Sequence, residues 1–123
     1  LSIAAASYDR HQESTYQPDT TWRWMGSIAQ DKNADMILGF SASSATINPQ
    51  IRYAGRLVGD PLNTLAQGEA TLFAGTGSQL STGNRWGDYS DMTVDPSDGD
   101  GQSPRHAGHL YADYHQHQRQ PCP

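Results

Sequence analysis

The sequence predicts an all-β fold of short antiparallel strands, and three observations carry that prediction. Short runs alternate apolar with polar side chains, the period-two pattern of a half-buried strand. Clusters of Asp, Asn, Gly, Pro and Ser separate those runs, and these are the residues that turns select. Two segments headed by Arg-Trp echo each other, with Trp24 and Trp86 62 positions apart, a spacing that reads as one structural repeat and the start of a second.

Residues 1–21 read as an N-terminal strand and loop. Ser2-Ile3-Ala4-Ala5-Ala6-Ser7-Tyr8 is a small-residue run able to form a strand, and Gln17-Pro18-Asp19-Thr20 clusters turn chemistry, with Pro18 unable to donate to a ladder. A start at Leu1 without a methionine points to a piece of something longer. Trp22 and Trp24 then share one face of a strand, with Arg23 on the other, and a tryptophan pair on one face is expected in a core. Residues 27–30 and 36–41 are apolar-rich and flank the polar link 31–35, the pattern of a hairpin. After a second polar link, 43–49, residues 50–58 alternate as a third strand with Ile51, Tyr53 and Leu57 on its inner side, and Asp60-Pro61 stops it. Residues 69–75 make a fourth strand, and the Gly-, Ser- and Thr-rich loop 76–83 leads to Arg85-Trp86-Gly87-Asp88-Tyr89. Beyond it Tyr89, Asp91 and Thr93 alternate with Ser90, Met92 and Val94 as another strand, ending at Asp95-Pro96.

Four short strands between successive Arg-Trp marks match the content of one propeller blade. Known blade repeats run to about 40–50 residues and lengthen where loops are inserted. The expected architecture is therefore one β-propeller-like blade plus part of a second, with four to six strands. Residues 22–98 form the repeat, and residues 99–123 form an irregular tail rich in His and Gln.

Composition narrows the function. Hydrophobic residues make up 35% of the 123-residue chain without glycine, below the roughly 45–50% of an ordinary globular domain even allowing for the glycine which that share includes, so the core is thin and neighbouring sheets are expected to support it. A net charge of −5 leaves no basic stripe for phosphates and argues against nucleic acid. The single cysteine, Cys122, rules out an intramolecular disulfide and a Cys-rich metal site. No stretch approaches the roughly 20 apolar residues of a spanning helix, and Ile3-Ala4-Ala5-Ala6 is too short for the apolar region of a signal peptide.

Met25-Gly26-Ser27-Ile28-Ala29-Gln30-Asp31-Lys32-Asn33, Ile51-Arg52-Tyr53-Ala54-Gly55-Arg56, Gly68-Glu69-Ala70 and Arg85-Trp86-Gly87-Asp88-Tyr89-Ser90, with Met92, Val94-Asp95-Pro96 and Asp98, resemble a repeat module of large secreted bacterial proteins. The overall look of those proteins is that of sialidase-like, multi-bladed β-propellers. The resemblance covers residues 22–98 and implies an extracellular setting. After Asp98 the chain departs from the pattern, which continues into an aromatic strand of the Thr-Phe-Trp-Tyr type. The polar tail found instead is what a reading-frame shift or a truncated clone would leave.

Three constellations are candidates for chemistry. Arg85, Asp88 and Tyr89, with Arg52 and Arg56 nearby, offer carboxylate-binding guanidinium groups beside an acid and a phenol, the ingredients of sialidase-type glycoside hydrolysis. The structural alternative is an Arg85–Asp88 turn with Trp86 and Tyr89 packed between blades. Asp31, Asn33 and Asp35 have the alternating oxygen ligands of a calcium loop, and Asp95, Asp98 and Asp100 offer a second oxygen cluster. Neither carries the closing glycine and glutamate, and Asp and Asn also serve turns. His109, Asp113 and His117 would share a face if the tail were helical and could hold zinc, although Gly108 weakens such a helix. No nucleophile elbow, phosphate loop or His-Glu-x-x-His motif is present.

The expected function is a noncatalytic binding or structural β-repeat module of an extracellular protein, with Trp86, Arg52 and Arg56 as ligand-binding residues and carbohydrate as the ligand class. Open sheet edges imply self-association. The rival is a sialidase-like glycoside hydrolase, or another small-substrate hydrolase, with its site formed between subunits. A plain cloned fragment without an evolved role is the third reading. No cofactor is required, although calcium could bind.

Overall fold

The computed structural model describes residues 10–78, 80, 86–87 and 89–94. Four strands, β1 (Trp22–Gln30), β2 (Met36–Ser43), β3 (Gln50–Arg56) and β4 (Glu69–Ala74), form one antiparallel sheet in the order β1-β2-β3-β4. The described residues contain no helix. Each strand pairs with its sequence neighbour, so β1 and β4 are the two edges.

Turn chemistry sets the connections. At the first hairpin Asp31 Oδ1 accepts the backbone N–H groups of Asn33 and Asp35, each at 2.9 Å, and Ala34 takes a left-handed φ of 68°. β3 stops at Arg56, two residues before the expected end. There Leu57 N donates to Asp60 Oδ2 at 2.9 Å and Asp60 N to Leu57 O at 3.0 Å, which folds Leu57 and Val58 into a turn rather than a ladder. Two β-bulges interrupt the register. Trp24 faces Ser41 while Ser27 faces Gly39, which places one extra residue on β1, where Met25 has φ 51°. Arg52 faces Thr71 while Ile51 faces Phe73, which leaves Leu72 extra on β4.

The register assigns each side chain to a face. Leu38, Phe40 and Ala42 of β2 share a face with Arg23 on β1, Arg52 and Ala54 on β3 and Glu69 on β4. This face holds the core: Phe40, Ala42 and Ala54 are buried, with Tyr16, Leu38 and Leu65 packed against them. It is covered by an arm, residues 10–20, and by the loop 57–68. The Tyr16 ring lies 5.9 Å from Phe40 at a tilt of 54°. Glu13 N donates to Asn63 Oδ1 at 2.6 Å, and Gln12 Nε2 to Met36 Sδ at 3.1 Å, so arm, loop and sheet are tied together.

The opposite face carries Trp22, Trp24, Ile51, Tyr53 and Phe73. Ile51 and Tyr53 were expected to point inward, yet the core lies on the other side, under the arm. Leu57 is not in the strand and is exposed. Trp22, expected in a core with Trp24, is 64% exposed. Trp24 instead meets Trp86 edge to face at 6.0 Å, and its Nε1 donates to Trp86 O at 3.3 Å. Trp86 does not head a matching strand: residues 89–94 form no strand. That segment docks on the β1 bulge, with Ser90 Oγ donating to Met25 O and Met92 N to Ser27 Oγ at 2.9 Å. The bulge turns the Met25 carbonyl away from the ladder, where the Ser90 hydroxyl meets it.

Candidate functional site

The densest set of interacting charges lies between the arm and the sheet. Three strands and the arm supply it. Arg23 projects from β1, Arg52 from β3 and Glu69 from the first position of β4, all on the covered face. Tyr16 and Asp19 come from the arm. Arg23 grips Glu69 with two nitrogens, Nε to Oε2 at 2.9 Å and Nη2 to Oε1 at 3.2 Å, and its Nη1 donates to Asp19 Oδ1 at 2.8 Å. Arg52 Nη1 donates to Glu69 Oε1 at 2.5 Å, and its Nε to Gln50 Oε1 at 2.8 Å. Tyr16 Oη donates to Glu69 Oε2 at 3.2 Å.

The electrostatics follow from this geometry. Burial works against the charge on Glu69, but the hydrogen bonds and charges of Arg23 and Arg52 outweigh it and hold the carboxyl below its ordinary value. Burial, then the neighbouring Glu69, raises the Tyr16 phenol and keeps it protonated. The hydrogen bond from Arg23, followed by that from the Thr21 backbone, holds Asp19 well below the usual carboxylate range. The Arg23 guanidinium lies 5.8 Å from the Tyr16 ring centroid and 5.9 Å from that of Phe40, within range of cation–π attraction. With two guanidinium groups and two carboxylates the cluster balances its own charge. A cleft of about 430 Å³ opens beside it, lined by Tyr16, Asp19, Arg52, Glu69 and Thr71 among others.

The sequence-predicted residues divide between the two faces. Arg52 belongs to the cluster. Arg56, on the same face, is 5% exposed and spends its donors on the carbonyl oxygens of Asp60, Pro61 and Val58 at 2.8, 3.3 and 3.5 Å, so it pins the loop after β3. Trp86 packs on Trp24, on the other side of the sheet, and Tyr89 is exposed. The expected grouping of Trp86 and Tyr89 with Arg52 and Arg56 is therefore not formed, because a full layer of sheet separates Trp86 from the two arginines. Arg85 and Asp88 lie outside the described residues, as do Asp95, Asp98, Asp100, His109, Asp113 and His117.

Asp31, Asn33 and Asp35 do come together, as a turn. Asp31 accepts from Asn33 and Asp35 as above, and Asp35 Oδ1 accepts from Val58 N at 2.6 Å. Among the described residues no three His, Cys, Asp or Glu side chains are grouped to share a metal ion.

Arg23, Glu69, Tyr16 and Asp19 were missed as site residues. One signal was available: Arg23 and Glu69 are the only charges in their strand runs, and the run that holds Arg52 carries two arginines and no acid, so all three need partners from elsewhere. Comparison with known proteins finds no matching family model, no similar curated protein and no similar solved structure.

Proposed function

We propose that the chain is a noncatalytic binding module of an extracellular protein, and that its ligand is a neutral carbohydrate held in the cleft beside Tyr16, Arg52, Glu69 and Thr71. One observation carries this reading: every acid in the cleft is matched by a base. Glu69 is held ionised by two arginines, and Tyr16 is held protonated, so neither group is poised to exchange a proton near neutrality, as a general acid or base must be. The same balance favours an uncharged ligand with many hydroxyls over an anion or a cation. An open four-stranded meander is also what a single propeller-like blade would contain. The extracellular setting rests on the resemblance of residues 22–98 to secreted repeat modules.

Calorimetric titration of the full chain with a panel of neutral oligosaccharides tests the proposal. At least one should bind, and Thr71→Val and Asp19→Asn should each weaken it fivefold or more, as an order of magnitude for a lost hydrogen bond. Absence of binding across the panel at millimolar sugar would refute the ligand class. Turnover of chromogenic glycosides that disappears in Glu69→Gln would instead establish the hydrolase.

A further inference from the structure

The two faces of the sheet sort the strand residues by charge. Arg23, Arg52, Arg56 and Glu69 all stand on the face that the arm covers. Every strand position on the other face, from Trp22 and Trp24 through Ile37 to Ile51, Tyr53 and Phe73, is uncharged. Trp22 is 64% and Phe73 62% exposed. The segment at Trp86 and Met92 meets this face at Trp24 and Ser27, and among the described residues nothing covers the two exposed aromatics.

We propose that this face is where a second copy of the chain packs, sheet against sheet across a two-fold axis. The proposal rests on the expectation that the chain self-associates, and it names the surface. A charged partner would have to leave its charges unpaired and desolvated against Trp22, Ile51 and Phe73. The chain's own uncharged face carries no such penalty, and a two-fold contact requires a surface that suits itself.

Area sets the strength. At about 4.8 Å between strands and 3.3 Å per residue, a four-stranded face of this length covers roughly 450 Å². The 86–92 segment already covers part of it, so two copies would bury less than about 900 Å², below the roughly 1,000 Å² of a stable specific interface and in the range of a weak, transient one. The dimer therefore forms and dissociates with concentration. The edges are poorer docking sites. Leu72 bulges from β4, and Ser90 already occupies the Met25 carbonyl on β1, and irregularities of this kind are what blunt an edge against pairing.

Sedimentation velocity over a concentration series of the full chain tests the assignment, with far-UV circular dichroism as a check on folding. Wild type should dimerise. Trp22→Glu and Phe73→Glu should each raise the dissociation constant at least tenfold, and the edge variant Leu72→Lys should leave it unchanged. On the unaltered chain, acrylamide quenching of tryptophan fluorescence should fall as protein concentration rises, because Trp22 becomes covered. Dissociation by Leu72→Lys alone, or quenching that ignores concentration in a dimerising sample, would overturn the face assignment and leave self-association standing. A wild-type chain that stays monomeric throughout would overturn both.

Discussion

Truncating Glu69 to alanine removes the anion on which Arg23 and Arg52 converge. In the folded state the three side chains are largely buried, with Arg23 8%, Glu69 14% and Arg52 16% exposed. Breaking a buried pair from one side costs about 3–5 kcal/mol, because the surviving charge is left in a poor solvent. Two features reduce that here. Arg23 keeps Asp19 at 2.8 Å and Arg52 keeps Gln50 at 2.8 Å, so the expected loss is about 2–3 kcal/mol. For a domain of this size each kcal/mol moves Tm by about 4–8 °C, which predicts a fall of roughly 10–20 °C, a large part of a stability of about 5–15 kcal/mol. Thermal and urea unfolding followed by far-UV circular dichroism would measure it. Combining Glu69→Ala with Arg52→Met should cost at least about 1 kcal/mol less than the sum of the single changes, since the second removes a charge that the first has stranded. A Glu69→Ala loss below about 0.5 kcal/mol, or strict additivity, would refute a structural role for the cluster.

The remaining predictions concern pH and turns. Because Glu69 is lowered in the fold, its contribution is present above its unfolded value of 4.5 and is lost as pH falls from there through the folded value; urea midpoints should drop below about pH 4.5, and less so in Glu69→Gln. Asp31→Ala strips the first hairpin of the acceptor for two backbone N–H groups and should cost about 1–2 kcal/mol by urea unfolding. Gly75→Ala puts a Cβ into the Pro49 carbonyl, and should destabilise by about 1–3 kcal/mol, whereas Gly77→Ala, which meets nothing within 4 Å, should leave the melting curve in place.

Strand identity was legible because it is local. The apolar-rich runs 36–41 and 69–75 and the polar link 31–35 contain their own evidence, and the observed strands fall within a few residues of it. What stayed hidden depended on register. Reading Ile51 and Tyr53 as inward required knowing which face the arm would cover, and Ala54, though fully buried, is too small to announce it. The bulge at Leu72 left no mark, and the one at Met25 left only Gly26 beside it, a glycine inside a strand run. The cluster itself joins residues 46 and 17 positions apart, a juxtaposition that only the pairing of three strands creates. Residues 89–94 alternate well, yet with no strand beside them to complete a ladder they dock through a hydroxyl and a backbone amide instead.

Glu69 opens the last strand, and that position has a consequence for synthesis. A chain emerging from the ribosome delivers Arg23, Arg52 and Arg56 to one side of a nascent three-stranded sheet before any strand supplies a carboxylate to that side. Until residue 69 arrives, the arm brings only the Asp19 carboxylate to that side, so closing it would bury more cations than anions, and folding should wait for β4 and then proceed in one step. A truncation before residue 69 should accordingly yield an unstructured product rather than a smaller sheet.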